Sequence, residues 1–279
     1  MLRPYTEISP KIDYELLTTK IMLPRDLLNG LEHRDVVSRL LDRGDQALQK
    51  WETVCSDFLS PPELIEATTV LSKLTEIQFM AWGGYAQAER QRLAIARADL
   101  PLDLSMVSLA AVDVAGNFLF DTATHPDFLG AILGSGIERQ KVGDVNVLGE
   151  KGAQVILVPE LVEYVELHLT QVRTVPVKTR KIELTELKIR PPQVKEIATV
   201  EASLRLDAIA SAGFGMSRSK MVDLIASDDV RVNWKSVTQS SYQLKTGDLI
   251  AIRGKGRLTV GDISVTKKNR YRVLLNRSM

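Results

Sequence analysis

The chain has 279 residues, enough for two or three domains that each bury a core without disulfides. Apolar content of 44% with 25% charged residues excludes a disordered or fibrous chain, and no stretch reaches the roughly 18 apolar residues of a membrane span. The net charge of +1 conceals a segregation: residues 173–279 hold 21 Lys+Arg against 10 Asp+Glu, while residues 1–172 hold 15 against 25. A basic C-terminal third suits a polyanionic partner. The acidic remainder argues against a nucleic-acid coat over the whole protein and leaves the N-terminal region open to a protein contact. The single cysteine, Cys55, fits a reducing compartment and, between Val54 and Phe58, reads as an inert core thiol. Met1-Leu2-Arg3-Pro4-Tyr5 offers no signal-peptide apolar region, so a cytoplasmic (or plastid-stroma) location is expected.

Residues 1–82 read as a helical N-terminal region. Val37, Leu40, Leu41, Leu48 and Trp51 recur at three- and four-residue steps, on one face of a helix starting near Glu32. Ser60-Pro61-Pro62-Glu63 is a second start signal: Ser60 can cap, Pro61 stands where its missing N–H costs nothing, and Glu63 can reach back. The helix it opens carries Leu64, Thr68, Leu71 and Leu74 on one side.

Residues 83–181 change period. Arg92–Arg97 and residues 107–114 read as strands, and residues 125–133 as a helix closed by Gly134 and Gly136. Residues 145–148 and 154–158 form a hairpin across Gly149-Glu150-Lys151-Gly152. Pro159 opens a helix to about Leu169, and residues 173–179 form a last strand. Strand–helix–strand–strand–helix–strand after one leading strand is the ferredoxin-like arrangement of many RNA-recognition domains. The fold class is therefore α+β. Base stacking by this sheet is not expected, because the strand from Gly152 to Leu157 has no aromatic residue. Arg90, Arg92, Arg97, Arg139 and Lys141 form a candidate basic patch. Exposed charge on an acidic scaffold explains them equally well.

Residues 182–199, with Lys188 and Arg190-Pro191-Pro192, read as a basic linker, and residues 200–279 as a compact C-terminal domain. There a short helical pair holds Leu204-Arg205-Leu206-Asp207 and Ser217-Arg218-Ser219-Lys220. Next come Val230-Arg231-Val232-Asn233-Trp234-Lys235, Gly247-Asp248 and Arg253-Gly254-Lys255-Gly256-Arg257. The Ser-Arg-Ser-Lys run puts two cations in the first turn of a helix, beside amides with no helical acceptor. That sign is mildly unfavourable for the isolated helix and attractive for a phosphate. Arg218 and Lys220 must then reach solvent; locked to carboxylates with no cationic surface beside them, they would leave no grip. Asp207, two residues after Arg205, reads as a cap or an arginine orienter. Trp234 can stack on RNA or cover the small core, the second being favoured, and Lys267-Lys268-Asn269-Arg270-Tyr271-Arg272 suits an RNA edge or a plain basic strand.

Several chemistries are missing. His33, His125 and His168 lie far apart with no Cys or carboxylate at metal-ligand spacing, so no metal site is expected. No Gly-Lys-Ser/Thr phosphate loop occurs, and Gly134-Ser135-Gly136 and Gly254-Lys255-Gly256 read as turns. Asp113, Asp121 and Asp127 sit in contexts that mark no catalytic base. Neither an enzyme nor a small-molecule cofactor is expected, and a binding protein is the default.

The C-terminal motifs just quoted resemble the S-four RNA-binding domain, named after a small-subunit ribosomal protein. That resemblance implies RNA contacts at Arg205, Ser217, Arg218 and Lys220, with Arg231, Asn233, Lys235, Lys255 and Arg257 in support. Upstream, Asp57-Phe58-Leu59-Ser60-Pro61-Pro62-Glu63, Gly83-Gly84-Tyr85 with Ala88-Glu89-Arg90, and residues 125–134 through Gly143-Asp144 resemble the YlmH family. The resemblance implies a non-enzymatic RNA-binding protein with structured RNA (rRNA, tRNA) and the large ribosomal subunit as partners, in quality control of stalled translation. A cyanobacterial and plastid branch bears the label photosystem II S-four domain protein. The rivals are an RNA-modifying enzyme of the pseudouridine-synthase kind and a photosystem II assembly or translation factor. No membrane partner is expected, because no amphipathic membrane helix or lipid-attachment motif occurs.

Overall fold

The computed structural model describes residues 22–189, 194–252 and 254–278. The chain divides into two compact units, Met1–Leu187 and Lys188–Met279.

The first unit begins with α1 (Arg34–Lys50), whose Val37, Leu40, Leu41 and Leu48 are buried at the expected spacing. Trp51 departs from that stripe. It ends the helix in a left-handed conformation, φ +57°, which swings its ring outward, where the Arg97 guanidinium covers it at 3.6 Å. After β1 (Val54–Cys55), the capping box forms as its residue types require: Glu63 Oε2 accepts from both the N–H and the hydroxyl of Ser60, each at 2.6 Å, and α2 runs Pro61–Leu71. Cys55 is half-buried, and its thiol donates to the Met106 carbonyl.

The first 82 residues are not wholly helical. β2 (Ile77–Trp82) pairs antiparallel with β3 (Arg92–Arg97), which also pairs with β1. The leading strand expected at Arg92–Arg97 thus belongs to a separate three-stranded sheet packed on α1, and not to the sheet that follows. Period-2 alternation reveals a strand but not its partner, which is why residue 83 looked like a boundary.

The ferredoxin-like part runs β4 (Ala110–Ala115), α3 (His125–Gly134), β5 (Val142–Val147), β6 (Gly152–Leu157), α4 (Val162–His168). A two-residue hairpin, β7 (Gln171–Val172) with β8 (Val175–Pro176), precedes β9 (Lys178–Ile182). Sheet order β5-β6-β4-β9 is all antiparallel, as this topology demands. The last strand begins five residues later than expected, because residues 171–176 turn back on themselves. Gly152 has φ +115°, and a Cβ there would stand 1.9 Å from the Val114 carbonyl oxygen, so only glycine fits.

In the second unit, β10 (Val194–Glu201) is the outermost strand of a six-stranded sheet and pairs with β15 (Tyr271–Ser278) over its whole length. The last six residues of the stretch expected as linker, 194–199, are therefore strand; their polar, half-exposed side chains hid a strand stabilised by one neighbour. Arg190, Pro191 and Pro192 lie outside the described residues. Helices α5 (Leu206–Phe214) and α6 (Arg218–Ala226) follow, then β11 (Val230–Val232), β12 (Lys235–Ser236), β13 (Leu249–Ile252) and β14 (Gly256–Val265). Leu206, Ile209, Met221, Ile225, Val230, Ile250, Leu258, Val273 and Leu275 join both helices to the sheet in one core. Gly213 allows the closest approach: a Cβ there would meet the Leu258 side chain at 2.2 Å.

Candidate nucleic-acid interface

The expected site residues fall into three groups within the second unit. Arg205 and Arg218 form the first, both turned onto Asp207. Arg205 donates through Nε and Nη2 at 3.1 Å each, and Arg218 through Nε at 3.0 Å and Nη2 at 3.2 Å. The Asp207 side chain is 4% exposed and also accepts the Ala208 N–H. Burial by itself pushes this carboxyl up. The hydrogen bonds and charges of the two guanidinium groups outweigh that and hold it below the ordinary value, while the same contact raises Arg205. Asp207 is thus the arginine orienter of the sequence reading. Arg218 is locked to a carboxylate, yet its side chain stays 56% exposed and cationic surface stands beside it.

That surface is the second group. Ser217 caps α6, its hydroxyl accepting from the Lys220 N–H at 3.3 Å, and the first amides of the helix have no carbonyl four residues back. Lys220 and Lys255 are exposed and line a hollow of about 560 Å³ with Gly254, Gly256 and Arg277. Arg277 was absent from the expected set. It follows Val273 and Leu275 on the inward face of β15, so its stem continues the core, and its Nη1 donates to the Phe214 carbonyl at the end of α5. The signal was present in the period-2 alternation of Val273, Leu275 and Arg277. Its closeness to Lys255 exists only through the pairing of β14 with β15.

The third group lies across the Gly254-Lys255-Gly256 turn, where Arg231, Trp234 and Arg257 line a hollow of about 470 Å³ with Asp228 and Asp229. The Arg257 guanidinium stands 5.1 Å from the Trp234 ring centroid, and Arg231 donates to the Trp234 carbonyl. Lys235 is exposed on β12. Asn233 is different. It and Trp234 take positive φ in the β11–β12 turn, and its amide is used at both ends, donating to Asp248 and accepting from the Leu249 N–H. Its fit to the motif reflects turn chemistry, since Asn tolerates the left-handed region and can fasten two strands. Arg253 lies outside the described residues.

The candidate patch of the first unit dissolves into separate contacts. Arg92 is buried and bonded to the carbonyls of Ser56 and Ser108, Arg97 pairs with Asp99, and Lys141 pairs with Asp57. Arg90 and Arg139 line one cleft, and Arg92 and Lys141 line another. Among the described residues no three His, Cys, Asp or Glu side chains are placed to hold a metal ion, and no helix is long and apolar enough to cross a membrane.

Two helices seated on a small antiparallel sheet, with an arginine pair oriented at the helix starts, define the S4 class of RNA-binding domains. Residues 204–250 match the S4 domain family, residues 32–100 the family described as "YlmH, N-terminal", and residues 106–186 that described as "Putative RNA-binding domain in YlmH". The Bacillus subtilis (strain 168) "Ribosome-associated protein quality control protein P2" is 34% identical over 242 residues, covering 84% of this chain and 93% of that protein. The chain belongs to the YlmH family. The small ribosomal subunit protein uS4 of Pseudomonas savastanoi is 41% identical over 54 residues, which cover 19% of this chain and 26% of that protein. A solved structure titled "Cell division protein ylmH from Streptococcus pneumoniae" aligns with TM-score 0.49 and 18% identity, over 56% of this chain and 94% of that one.

Proposed function

We propose that this protein is a non-enzymatic RNA-binding factor that grips structured RNA of the large ribosomal subunit and its bound tRNA, in quality control of stalled translation. The observation that carries the reading is the grouping of Lys220, Lys255 and Arg277 around one hollow beside the start of α6, the helix that Arg218 opens. Among the described residues these three cations have no carboxylate partner, and together they form a sink for backbone phosphates. Arg231, Lys235, Arg257 and the Trp234 ring extend it past the glycine turn. Because these contacts address phosphate, RNA shape rather than base sequence sets the preference. The family membership and the name of the Bacillus relative supply the ribosomal setting.

Filter retention with a large-subunit rRNA fragment and with tRNA tests the reading. Contact with about four to six phosphates makes affinity fall roughly a hundredfold or more over a fourfold rise in salt. A binding constant that hardly moves defeats it. Mass spectrometry of the RNA after incubation separates binding from modification, and sedimentation with large subunits or with membranes at moderate salt separates a ribosomal factor from a photosystem assembly factor.

A further inference from the structure

The first unit holds an arginine-lined cleft of about 430 Å³ that the C-terminal domain does not explain. Arg39 and Arg43 lie four residues apart on α1, so both side chains leave the same face of the helix. Both are exposed, and neither has an ion pair or a hydrogen bond among the described residues. Arg90 and Arg139 line the same cleft. Arg90 Nε donates to the Val142 carbonyl at 3.2 Å and its Nη2 to the Phe58 carbonyl at 2.9 Å. Arg139 Nη1 donates to the same Val142 carbonyl and to that of Gly143.

Two guanidinium groups on one carbonyl oxygen are close neighbours of like charge. Burial lowers the Arg139 pKa to about 10, with the charge of Arg90 adding to the effect. Backbone carbonyls fix these groups in place, and the charge of Asp144, joined by that of Glu63 at Arg90, offsets theirs only in part. Three carboxylates line the cleft too: Asp57 is paired with Lys141, while Glu63 and Glu138 accept hydrogen bonds from the neutral Ser60 and Gln140 and keep their charge. Among the described residues four arginines, two held by carbonyls and two without a partner, thus face Glu63 and Glu138 in the cleft and Asp144 behind it, which leaves an excess of positive charge suited to an anion. Guanidinium forks match the paired oxygens of phosphoryl and carboxylate groups, and several forks converging on one site suit a phosphoryl group, which offers more oxygens than a carboxylate.

We propose that Arg39, Arg43, Arg90 and Arg139 form a phosphate-binding site, and that its occupant is a phosphate of an RNA strand. This site is independent of the one around Lys220, so either can fail alone.

The test uses the full chain carrying Lys220→Ala and Lys255→Ala, which removes exposed cations from the C-terminal site, with and without Arg39→Ala and Arg43→Ala. Fluorescence anisotropy with a labelled single-stranded oligouridylate reads RNA binding, and calorimetry with inorganic pyrophosphate reads a free phosphate ligand. If an RNA strand is the occupant, the added pair of substitutions lowers oligonucleotide affinity at least tenfold. It also flattens the slope of log affinity against log salt by about 1.4, the share of two single-strand phosphate contacts. Arg39→Lys with Arg43→Lys then recovers part of the affinity. Pyrophosphate binding that depends on Arg39 and Arg43, without oligonucleotide binding, keeps the phosphate site and rejects the RNA strand. If neither ligand responds to the substitutions while thermal unfolding is unchanged, the site does not exist.

Discussion

Arg218 and Asp207 stand eleven residues apart in sequence and meet as a two-pronged ion pair, Nε to Oδ2 at 3.0 Å and Nη2 to Oδ1 at 3.2 Å. The contact ties the start of α6 to the start of α5. It changes what a substitution at Arg218 reports. From the sequence, replacing Arg218 and Lys220 with alanine is expected to weaken RNA binding and spare the fold; with Arg218 bound to a buried carboxylate, only the lysine can be removed so cheaply. The cleaner pair is Lys220 and Lys255, both exposed. The expected outcome for Lys220→Ala with Lys255→Ala is a salt-dependence slope reduced by roughly 1.4 to 1.8 and a stability change within about 0.5 kcal/mol. Filter retention over a salt series and urea unfolding measure the two.

Asp207→Asn tests the orienter. It removes the charge that two guanidinium groups share, but both are open enough to water to be resolvated. The cost is expected to be about 1 to 2 kcal/mol, below that of breaking a fully buried pair. Hydrogen exchange should show faster opening at the starts of α5 and α6, with α1 and α2 unchanged.

The same carboxyl sets a pH dependence. Its folded-state value lies below the ordinary one, so its contribution is fully present above the unfolded-state value, 3.8, and is lost as pH falls through the lower folded value. Unfolding of the second unit should become easier below about pH 4, and Asp207→Asn should flatten that part of the profile. An unaltered acid limb in the variant contradicts the assignment.

Arg92→Met is expected to destabilise the first unit by about 2 to 4 kcal/mol. The side chain is 5% exposed, and its removal orphans the carbonyls of Ser56 and Ser108. RNA affinity should not change. A loss of affinity with intact stability would return Arg92 to the basic patch suggested by the sequence.

Gly152→Ala is expected to cost about 3 kcal/mol or more, because the new Cβ meets a β4 carbonyl and the residue must hold positive φ. Thermal unfolding measures it.

The sequence by itself determined the elements whose signals are local. The Ser60 capping box, the buried stripe of α1, the order of strands and helices from Ala110 to Ile182 and the Ser217 cap all depend on residues within a turn or two of each other. The Arg205–Asp207 pairing was legible for the same reason, the two residues being neighbours. Tertiary structure alone decided what depends on contacts far apart in the chain. Which sheet Arg92–Arg97 joins, that residues 194–199 of the expected linker form an edge strand, and that Arg277 stands beside Lys255 all follow from strand pairing. Helix packing likewise brings Arg39 into one cleft with Arg139, a hundred residues later. Local spacing encodes which face a side chain takes; the partner across that face is chosen by the packing of the whole core, which no short window of sequence contains.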